Sequence, residues 1–575
     1  MFSSPANHAK SFLLPRVDRA LFILALSFAL QALSTAPLLA GFTAVPTFES
    51  IGLYWAPEGG SERVTAKVHY REVGQDEWRE GHPLWYAPAE ADRPAEYRGS
   101  IVLLKPGTTY EVKLTLETGF SETQRVTTWS EEFPIAQVIQ VTDRSTPLEI
   151  QNVHGSPDGY ILYTGPAIID VDGAYPYNIR IQDSSYIIIR GLTLRRAAGD
   201  GILLGSSTAR NASVVHDIVI EENDISNWGS VDPDAPPGTN WGRDRDSGIR
   251  SSSTMLERII IQRNRIHSPR TDANSWKEDR NLDGTGNDHP RGPQGITLEY
   301  GTKGNFVIRY NEIVGDNEHR FNDGMGATQN FGYGGFPIRD SDIYGNYIAF
   351  TWDDAIEVEG ANMNVRVWGN VTDETYVGIA MAGTTLGPLY VFRNVFQRSR
   401  TGPAHAYGGV AFKRGGSSQY PSDGRIYLYN NTMFFAGNPT YQTGVAERTD
   451  ANFSRNTVGR NNILIVRGNA NDRSVHNRDP GSSFDYDLYN GLITSVNPED
   501  EARGVKGYPR YVSGAGLDRS TMTGIFQLLP ESPGYDAGVV IPNFTDDAAG
   551  AAPDIGAHEA DTPPMEFGVN AYRNQ

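Results

Sequence analysis

Two short acidic turns in the middle of the chain carry side chains that suit acid–base chemistry. The first, residues 322–324, contains Asp323, and the second, residues 352–354, contains Asp353 and Asp354. If the turns lie on adjacent coils of one stacked sheet, about 4.8 Å apart, their carboxylates lie side by side. Mutual repulsion then raises at least one pKa and leaves one acid protonated near neutrality. A protonated acid beside an ionised base is what glycoside hydrolysis requires.

Further polar and aromatic side chains surround these turns. In the strand after Asp354, Glu357 and Glu359 alternate with apolar residues, so they should point away from the core. The alternative is a solvated acidic face with turn-capping aspartates, because Asp-Gly and Asp-Asp are ordinary turn formers. A substrate groove is expected over residues 316–366, and the side chains predicted to bind substrate are His319, Arg320, Asn322, Trp352, Glu357, Glu359, Arg366, Arg393 and Lys413. Other groove candidates are His289, Arg291, Gln294, Phe331, Tyr333 and Trp241.

A repeated strand pattern predicts the scaffold that must position these residues. Short β-branched runs are followed, after two intervening residues, by Asn, as in Ile218-Val219-Ile220 with Asn223. The steps from Asn346 to Asn370 and from Asn370 to Asn394 are each 24 residues, whereas other steps contain inserted loops. This period predicts a parallel β-helix in which stacked Asn amides satisfy the turn backbone. A propeller would need longer blades and its own signature dipeptides.

With this pattern, residues 136–565 resemble the right-handed parallel β-helix proteins. The acidic turns are similar to those of the polygalacturonase-like hydrolases, which invert at three catalytic aspartates. The resemblance implies that Asp354 or its neighbour is the acid and that Asp323 with Asp353 holds the attacking water. The chain departs from the family at residues 376–379, Tyr-Val-Gly-Ile, where the family has Gly-His-Gly, and it has Lys413-Arg414 but no Arg-x-Lys clamp. The missing His puts galacturonan specificity in doubt.

Two other functions remain open on the same scaffold. Some β-helix polysaccharide lyases bind calcium between an Asn or Asp on one coil and Glu-x-Glu on the next, and residues 357–359 have that outline. The calcium would neutralise a substrate carboxylate, and a basic side chain would remove the neighbouring proton. Candidates for that base are Arg366, Arg393 and Lys413. A non-catalytic adhesin or glycan-binding protein would use the same groove without cleavage.

A separate loop has the first half of a calcium-binding pattern. Asp279, Asn281 and Asp283 place oxygen ligands at alternate positions before a Gly turn. The second half departs from the pattern, because Pro290 stands where a bidentate Glu would be. We therefore expect either a structural calcium ion or a solvated polar loop, and the hydrolase reaction itself needs no cofactor.

The N-terminal part of the mature chain predicts a smaller all-β domain. Period-two alternation runs through residues 42–135, Trp55 is a buried anchor, and Tyr110 follows a Pro-Gly turn where its hydroxyl can bond to the preceding backbone. In these features the segment resembles a fibronectin type III domain. It is either a sugar-binding or positioning module or a passive spacer.

Composition and the N-terminus predict an exported, acidic protein. Residues 1–40 have the layout of a secretory signal peptide, with basic residues before a short apolar run and small residues after it. We therefore expect a secreted or periplasmic protein without a membrane anchor after cleavage. The formal charge of −19 argues against nucleic-acid binding, and the absence of Cys excludes disulfides and thiolate chemistry. The expected partner is a polysaccharide, and the protein is expected to be a monomer.

Overall fold

The computed structural model describes most of the chain after the first 40 residues. Within the part of the chain that the structure describes, no helix is long and apolar enough to cross a membrane. The predicted signal peptide lies outside them. From Phe42 onward the chain packs as one compact unit. The described residues are 41–90, 92–207, 210–286, 288–299, 303–327, 330–400, 409–415, 420–434, 441–446 and 454–573.

The N-terminal strands form an antiparallel β-sandwich. Their neighbour order is β1-β2-β5-β4-β3-β6-β7. Trp55 is buried, and the backbone N–H of Lys105 donates to the Tyr110 hydroxyl at 2.9 Å, so both sequence expectations are confirmed. The fibronectin type III assignment itself stays a prediction. The strands are β1 (Thr43–Pro46), β2 (Ile51–Trp55), β3 (Ala66–Glu72), β4 (Arg79–Ala87), β5 (Glu96–Ile101), β6 (Thr109–Leu116) and β7 (Ser121–Thr127).

The rest of the chain winds into a right-handed parallel β-helix, as predicted. Its strands pair in parallel with the strands of the coils before and after, apart from Gly335–Phe336 and Glu359–Gly360, which pair antiparallel with each other. In order they are β8 (Ile135–Gln140), β9 (Leu148–Gln151), β10 (Tyr160–Asp170), β11 (Tyr177–Gln182), β12 (Ser184–Arg195), β13 (Asp200–Leu204), β14 (Asn211–Glu221), β15 (Asp224–Ser226), β16 (Ser247–Ser251), β17 (Ser253–Gln262), β18 (Arg265–His267), β19 (Gln294–Leu298), β20 (Val307–Arg309), β21 (Glu312–Val314), β22 (Met325–Gly326), β23 (Gly335–Phe336), β24 (Asp342–Tyr344), β25 (Tyr347–Glu357), β26 (Glu359–Gly360), β27 (Val365–Trp368), β28 (Val371–Ala380), β29 (Leu389–Phe392), β30 (Val395–Phe396), β31 (Val410–Lys413), β32 (Ile426–Tyr429), β33 (Thr432–Met433), β34 (Thr443–Val445), β35 (Thr457–Arg460), β36 (Ile463–Leu464), β37 (Arg473–Asn477), β38 (Ser483–Asp485), β39 (Leu488–Tyr489), β40 (Leu492–Ser495) and β41 (Val505–Lys506).

The described chain ends in a small antiparallel sheet and a short 3₁₀ turn. The sheet has the order β42-β43-β44. Its strands are β42 (Gly516–Asp518), β43 (Thr523–Ile525) and β44 (Met565–Glu566), and the 3₁₀ turn is Gly568–Asn570.

Columns of identical apolar side chains fill the interior of the β-helix. Cross-coil pairing aligns Ile189 with Ile220, Ile220 with Ile261, Ile261 with Ile308, and Ile308 with Ile343. All five side chains are fully buried. Because the strand period is two, aligned apolar positions put every isoleucine of a column on the inner face, and this alignment fixes the register of the coils.

A ladder of buried asparagines follows the turn beside this core, as the sequence predicts. Each Asn side-chain N–H donates to the side-chain oxygen of the Asn one coil later, at 2.9–3.0 Å. Each Asn backbone N–H donates to the same oxygen at 2.9–3.1 Å. The ladder therefore satisfies the buried turn backbone. Its members are Asn223, Asn264, Asn311, Asn346, Asn370, Asn394, Asn431 and Asn462.

The ladder ends in a pair of carboxyl groups rather than another amide. Asp487 Oδ1 accepts the Asn462 side-chain and backbone N–H groups at 2.9 and 2.6 Å. The Asp487 backbone N–H donates to Glu501 Oε2 at 3.3 Å. Burial raises the pKa of both carboxyl groups, and the proximity of Asp487 raises that of Glu501 further. The pair therefore retains a proton in the folded protein at pH values where free carboxyl groups are ionised.

Replacing Glu501 by Gln should stabilise the protein at neutral and alkaline pH. In the wild type, the unfolded chain loses the Glu501 proton above about pH 4.3 while the folded chain keeps it, so stability falls as the pH rises. The side-chain amide in Glu501→Gln has N–H donors at every pH. The thermal midpoint of this variant should therefore decline less between pH 5 and pH 8 than that of the wild type. Glu499→Gln, on the exposed side of the same turn, is the control. Parallel pH dependence in wild type and Glu501→Gln would contradict the assignment.

The sandwich packs on one outer face of the β-helix through polar as well as aromatic contacts. Asp342 and Arg366 are cross-coil neighbours that form a fully buried ion pair, with 2.6 Å between Oδ1 and Nε. The Thr47 hydroxyl of the sandwich donates to the other oxygen of Asp342. Beside this pair, the rings of Tyr344 and Trp368 stack at 4.1 Å between centroids. This face of the β-helix is therefore covered.

Candidate active site

The structure places the two acidic turns on adjacent coils, which confirms the central sequence expectation. Met325 of β22 pairs with Ile356 of β25, so Asp323 and Asp354, each two residues earlier, lie next to each other. The backbone N–H of Asp354 donates to Asp323 Oδ1 at 3.1 Å. The coils approach closely at Gly324, where a Cβ atom would lie 2.5 Å from the Ala355 carbonyl oxygen. Glycine at this position lets the carboxylates meet.

Asp323, Asp353 and Asp354 converge on one point. One carboxylate oxygen from each lies within 4.8 Å of the other two. With Glu357 and Glu359 they form a cluster of five carboxyl groups whose residues are only 1–8% exposed. The cluster is more enclosed than the open groove expected from the sequence. In such a low-dielectric setting, charges and dipoles act more strongly than in water.

Asp323 is held by three donors. Its Oδ2 accepts the side-chain amides of Gln294 and Asn322, both at 2.9 Å, and its Oδ1 accepts the backbone N–H of Asp354. Burial and the neighbouring Asp353 raise the pKa of Asp323, although the Asp354 N–H opposes the shift. Both oxygens are thus fixed in position by hydrogen bonds.

Asp354 has one free oxygen. The Lys413 ammonium donates to Oδ2 at 2.6 Å. Oδ1 is buried and has no hydrogen-bond partner within the described part of the chain. Burial and the neighbouring Asp353 raise the pKa of Asp354 well above its ordinary value. A protonated Asp354 would carry its proton on Oδ1, because Oδ2 accepts from Lys413.

Asp353 is oriented by the long insertion at residues 268–292. The Trp276 indole N–H donates to Asp353 Oδ1 at 3.2 Å. His289 Nε2 lies 3.4 Å from Asp353 Oδ2, and the rings of Trp276 and His289 pack at 4.5 Å between centroids. The His289 side chain is 62% exposed. The exposed His289 side chain therefore lies between the buried Asp353 carboxylate and solvent.

Lys413 reaches the cluster across two coils. Glu357 pairs with Ala380, and Ala380 pairs with Lys413, so the three residues occupy one column. The small Ala380 side chain leaves room for the Lys413 ammonium, which also lies 3.8 Å from Glu359. Burial lowers the pKa of Lys413, but Asp354 and Glu359 raise it more, and the net shift is upward. Lys413 is therefore a fixed cation near neutral pH.

The two glutamates are tied to neighbouring loops. Glu357 accepts the Asn330 side-chain amide at 2.6 Å and the Ala327 backbone N–H at 3.2 Å. Glu359 accepts the Ala382 backbone N–H at 3.1 Å. Burial, and then Glu359, raise the pKa of Glu357. Its protonated form relieves part of the repulsion within the cluster.

Two sets of carboxylates could hold a divalent cation. One is Asp323 with Asp353 and Asp354, and the other is Asp354 with Glu357 and Glu359, each with oxygens within 4.8 Å of one another. Such oxygen-only sets suit calcium or magnesium. Asp354 belongs to both sets, and its Oδ1 has no hydrogen-bond partner within the described part of the chain.

The predicted calcium loop has a different arrangement. Asp279 accepts the backbone N–H groups of Asp283 and Gly284 at 3.0 and 2.8 Å. Asn281 donates its backbone N–H to Asp288 at 2.7 Å. Asp283 accepts the Thr285 N–H. These side chains cap the turn, and calcium binding at this loop stays a prediction.

Several predicted substrate contacts lie away from the cluster. Arg366 is enclosed with Asp342 beneath the sandwich, and Arg393 pairs with Asp547 near the C-terminus. His319 forms an ion pair with Asp316 at the surface. The structure therefore does not bring Arg366, Arg393 or His319 to the acidic cluster. Nothing in the sequence indicated that other parts of the chain cover these arginines.

Arg320 and Trp352 also differ from the expectation. Arg320 forms an ion pair with Asp272, and its guanidinium lies 5.3 Å from the centre of the Trp352 ring. The Arg400 guanidinium lies 4.6 Å from the same ring. Trp352 is buried between these groups, so its face is not available to stack on a sugar.

Sequence reasoning missed two residues that touch the cluster, Trp276 and Asn330. Trp276 lies in a long insertion whose path has no periodic signal, and Asn330 lies in an irregular segment after β22. The only signal in the sequence was the position of both residues in Gly- and Asn-rich insertions on one side of the helix. Loops of this kind often carry functional side chains.

Comparison with known proteins adds structural likenesses of low score. No family model matches the chain, and the search of curated proteins gives no match. The catalytic domain of a GH87 alpha-1,3-glucanase in complex with nigerose aligns at 10% identity and a TM-score of 0.32, covering 80% of this chain and 89% of that one. Pectate lyase PelI from Erwinia chrysanthemi aligns at 10% identity and a TM-score of 0.16, covering 79% and 99%. The sensor domain of an anti-sigma factor from Pseudobacteroides cellulosolvens aligns at 22% identity and a TM-score of 0.13, covering 16% and 75%.

The fold and the site define the class of protein. The chain is a right-handed parallel β-helix with an N-terminal β-sandwich and a buried carboxylate cluster that spans adjacent coils. No function is assigned from the structural likenesses, because their scores are low.

Proposed function

We propose that this protein is an exported enzyme that cleaves polysaccharides by hydrolysing glycosidic bonds. The observation that supports this most directly is the convergence of Asp323, Asp353 and Asp354, with oxygens within 4.8 Å. Burial and the neighbouring Asp353 raise the pKa of both Asp323 and Asp354, which favours a protonated acid within the cluster. Paired carboxyl groups in different protonation states are the usual machinery of glycosidases.

In this proposal the three aspartates have different roles. Asp354 donates the Oδ1 proton to the glycosidic oxygen as the bond from that oxygen to the anomeric carbon breaks. Asp353, oriented by Trp276 and assisted by Asp323, takes a proton from water as the water oxygen bonds to that carbon. The products are two sugars with free hydroxyl groups. The catalytic cycle is complete when Asp353 has lost its new proton and Asp354 has regained one. Inversion of the anomeric centre is what the resemblance to the polygalacturonase-like hydrolases implies, although the oxygens of the three aspartates lie within 4.8 Å of one another, closer than the roughly 6.5–9.5 Å of most inverting pairs.

A polysaccharide lyase is the second candidate, supported by the cation-capable set of Asp354, Glu357 and Glu359. If calcium were bound there, it would neutralise a substrate carboxylate. The proton-abstracting base is the weak point. Arg366 and Arg393 lie elsewhere, and the raised pKa of Lys413 keeps it protonated and unsuited to act as a base. We therefore favour hydrolysis over elimination.

A panel of purified neutral and acidic polysaccharides tests the proposal. We expect new reducing ends without the ultraviolet absorbance of an unsaturated product, and proton NMR should show the inverted anomer first. Unsaturated products that depend on added calcium would establish the lyase instead. Binding without any cleavage across the panel would indicate a glycan-binding protein.

Replacing Lys413 by Met should move the alkaline limb of the pH–rate profile to higher pH. The ammonium lowers the pKa of Asp354, so its removal raises that pKa further. A general acid works only while protonated, and the activity should therefore persist to higher pH. The measurement is kcat/KM against pH, and Lys413→Arg, which keeps the cation, is the control. A limb that stays in place or moves to lower pH would contradict Asp354 as the acid.

A further inference from the structure

The segment between β22 and β24 connects the acidic cluster with the sandwich. We define residues 330–340 of it as the braced segment. At one end, the Asn330 side chain donates to Glu357 at 2.6 Å. Next to it, Phe331 is 44% exposed at the surface. The braced segment thus begins in direct contact with a carboxylate of the proposed active site.

The middle of the braced segment pairs with the strand that carries Glu359. β23 and β26 run antiparallel, with Gly335 opposite Gly360 and Phe336 opposite Glu359. Any side chain at Gly335 is excluded, because its Cβ would lie 1.9 Å from the Glu359 carbonyl oxygen, and Gly335 has a φ of 90°. The position of Glu359 is thus coupled to that of the braced segment by backbone contact.

The sandwich holds the other side of the braced segment through two hydrogen bonds. The Tyr333 hydroxyl donates to the carboxylate of Glu90, in the loop after β4. The Tyr54 hydroxyl of β2 donates to Asp340 Oδ1 at 2.8 Å.

A small apolar cluster joins the same elements. Tyr54 from the sandwich packs with Tyr333 and Ile338 of the braced segment, and with Met363 and Leu386 of the next coils. This cluster begins directly after Glu359, since it also contains Ala361. The sandwich therefore contacts the wall of the carboxylate cluster as well as the covered face of the β-helix.

We propose that the sandwich is a positioning element for the active site, and that Glu90 and Tyr54 hold the braced segment so that Asn330 and β23 fix Glu357 and Glu359. The kinetic part of this inference rests on the proposed hydrolase function. The mechanical part does not rest on that function, because it concerns only how firmly residues 330–340 are held in place. Glu90 and Tyr54 are thus positioning residues and do not touch the substrate.

Hydrogen–deuterium exchange and steady-state kinetics on the full chain test the two parts separately. In Glu90→Ala and Tyr54→Phe, exchange in peptides covering residues 330–340 should rise, while the thermal midpoint stays close to that of the wild type. On a cleaved polysaccharide, kcat should fall about 10-fold with KM within about two-fold, because small displacements of catalytic groups lower the rate more than they weaken binding. Glu90→Gln keeps an oxygen acceptor for Tyr333 and should restore both readouts.

The control is Glu72→Gln, which removes a charge from the same sandwich at its ion pair with Lys105. It should leave exchange and kinetics unchanged. Unchanged exchange at residues 330–340 in Glu90→Ala and Tyr54→Phe would overturn the inference, whatever the catalytic result. Faster exchange with a wild-type kcat would overturn the positioning role. If the wild type cleaves no glycan, the proposed function fails while the exchange data still decide the mechanical part.

Discussion

Asp354→Asn should lower kcat by about 10³-fold while the protein remains folded, since general acid catalysis contributes about 10²–10⁴-fold. Asn has the shape of the protonated carboxyl group but cannot release a proton to the leaving oxygen. Burial and Asp353 raise the pKa of Asp354, so replacement by a neutral amide removes less charge than it would at an exposed aspartate. The Lys413 ammonium keeps Glu359 as a neighbour at 3.8 Å, and we expect the variant to remain folded.

The control for Asp354→Asn is Asp316→Asn, which makes the same chemical change at the surface ion pair with His319. Its activity should equal that of the wild type. Reducing-end release measures both variants, and circular dichroism checks their folding. An Asp354→Asn variant that retains a tenth or more of the wild-type kcat would show that Asp354 is not the acid.

The sequence predicted the parts of the molecule that repeat. Each coil packs against its neighbours in the same way. The spacing of Asn346, Asn370 and Asn394 in the sequence therefore indicates the ladder directly. The same reasoning placed Asp323 beside Asp354, because the aligned apolar pair Met325 and Ile356 fixes the register of the residues two positions earlier. Periodic features of this kind are encoded locally and repeatedly along the chain.

The sequence did not predict the contacts made by non-repeating segments. Trp276 and Asn330 reach the cluster from irregular loops, and no local rule gives the path of such loops. Arg366 illustrates the other limit. It was predicted to bind substrate, but the sandwich covers it, and which face the sandwich covers depends on contacts between segments far apart in sequence. The prediction that Arg366 binds substrate considered the surface of the β-helix alone, without the sandwich.

Arg366→Met should destabilise the protein by about 3–5 kcal/mol, the usual cost of breaking a buried ion pair by removing one partner. Asp342 would keep a hydrogen bond from Thr47 but lose its cation inside a site where both residues are fully buried. Burial already raises the pKa of Asp342, and Arg366 opposes that shift. Without Arg366 the pKa rises further, and the folded protein then holds a proton that the unfolded chain loses above about pH 3.9.

The destabilisation of Arg366→Met should consequently be larger at pH 8 than at pH 4.5, which distinguishes a lost charge partner from a simple cavity. The thermal midpoint at both pH values provides the measurement. Asp342→Leu with Arg366→Met removes both charges, and since apolar replacement of a whole buried pair is often neutral, the double variant should be more stable than Arg366→Met alone. A loss for Arg366→Met that is equal at both pH values, or a double variant with additive losses, would mean that the ion pair does not control the junction between sandwich and β-helix.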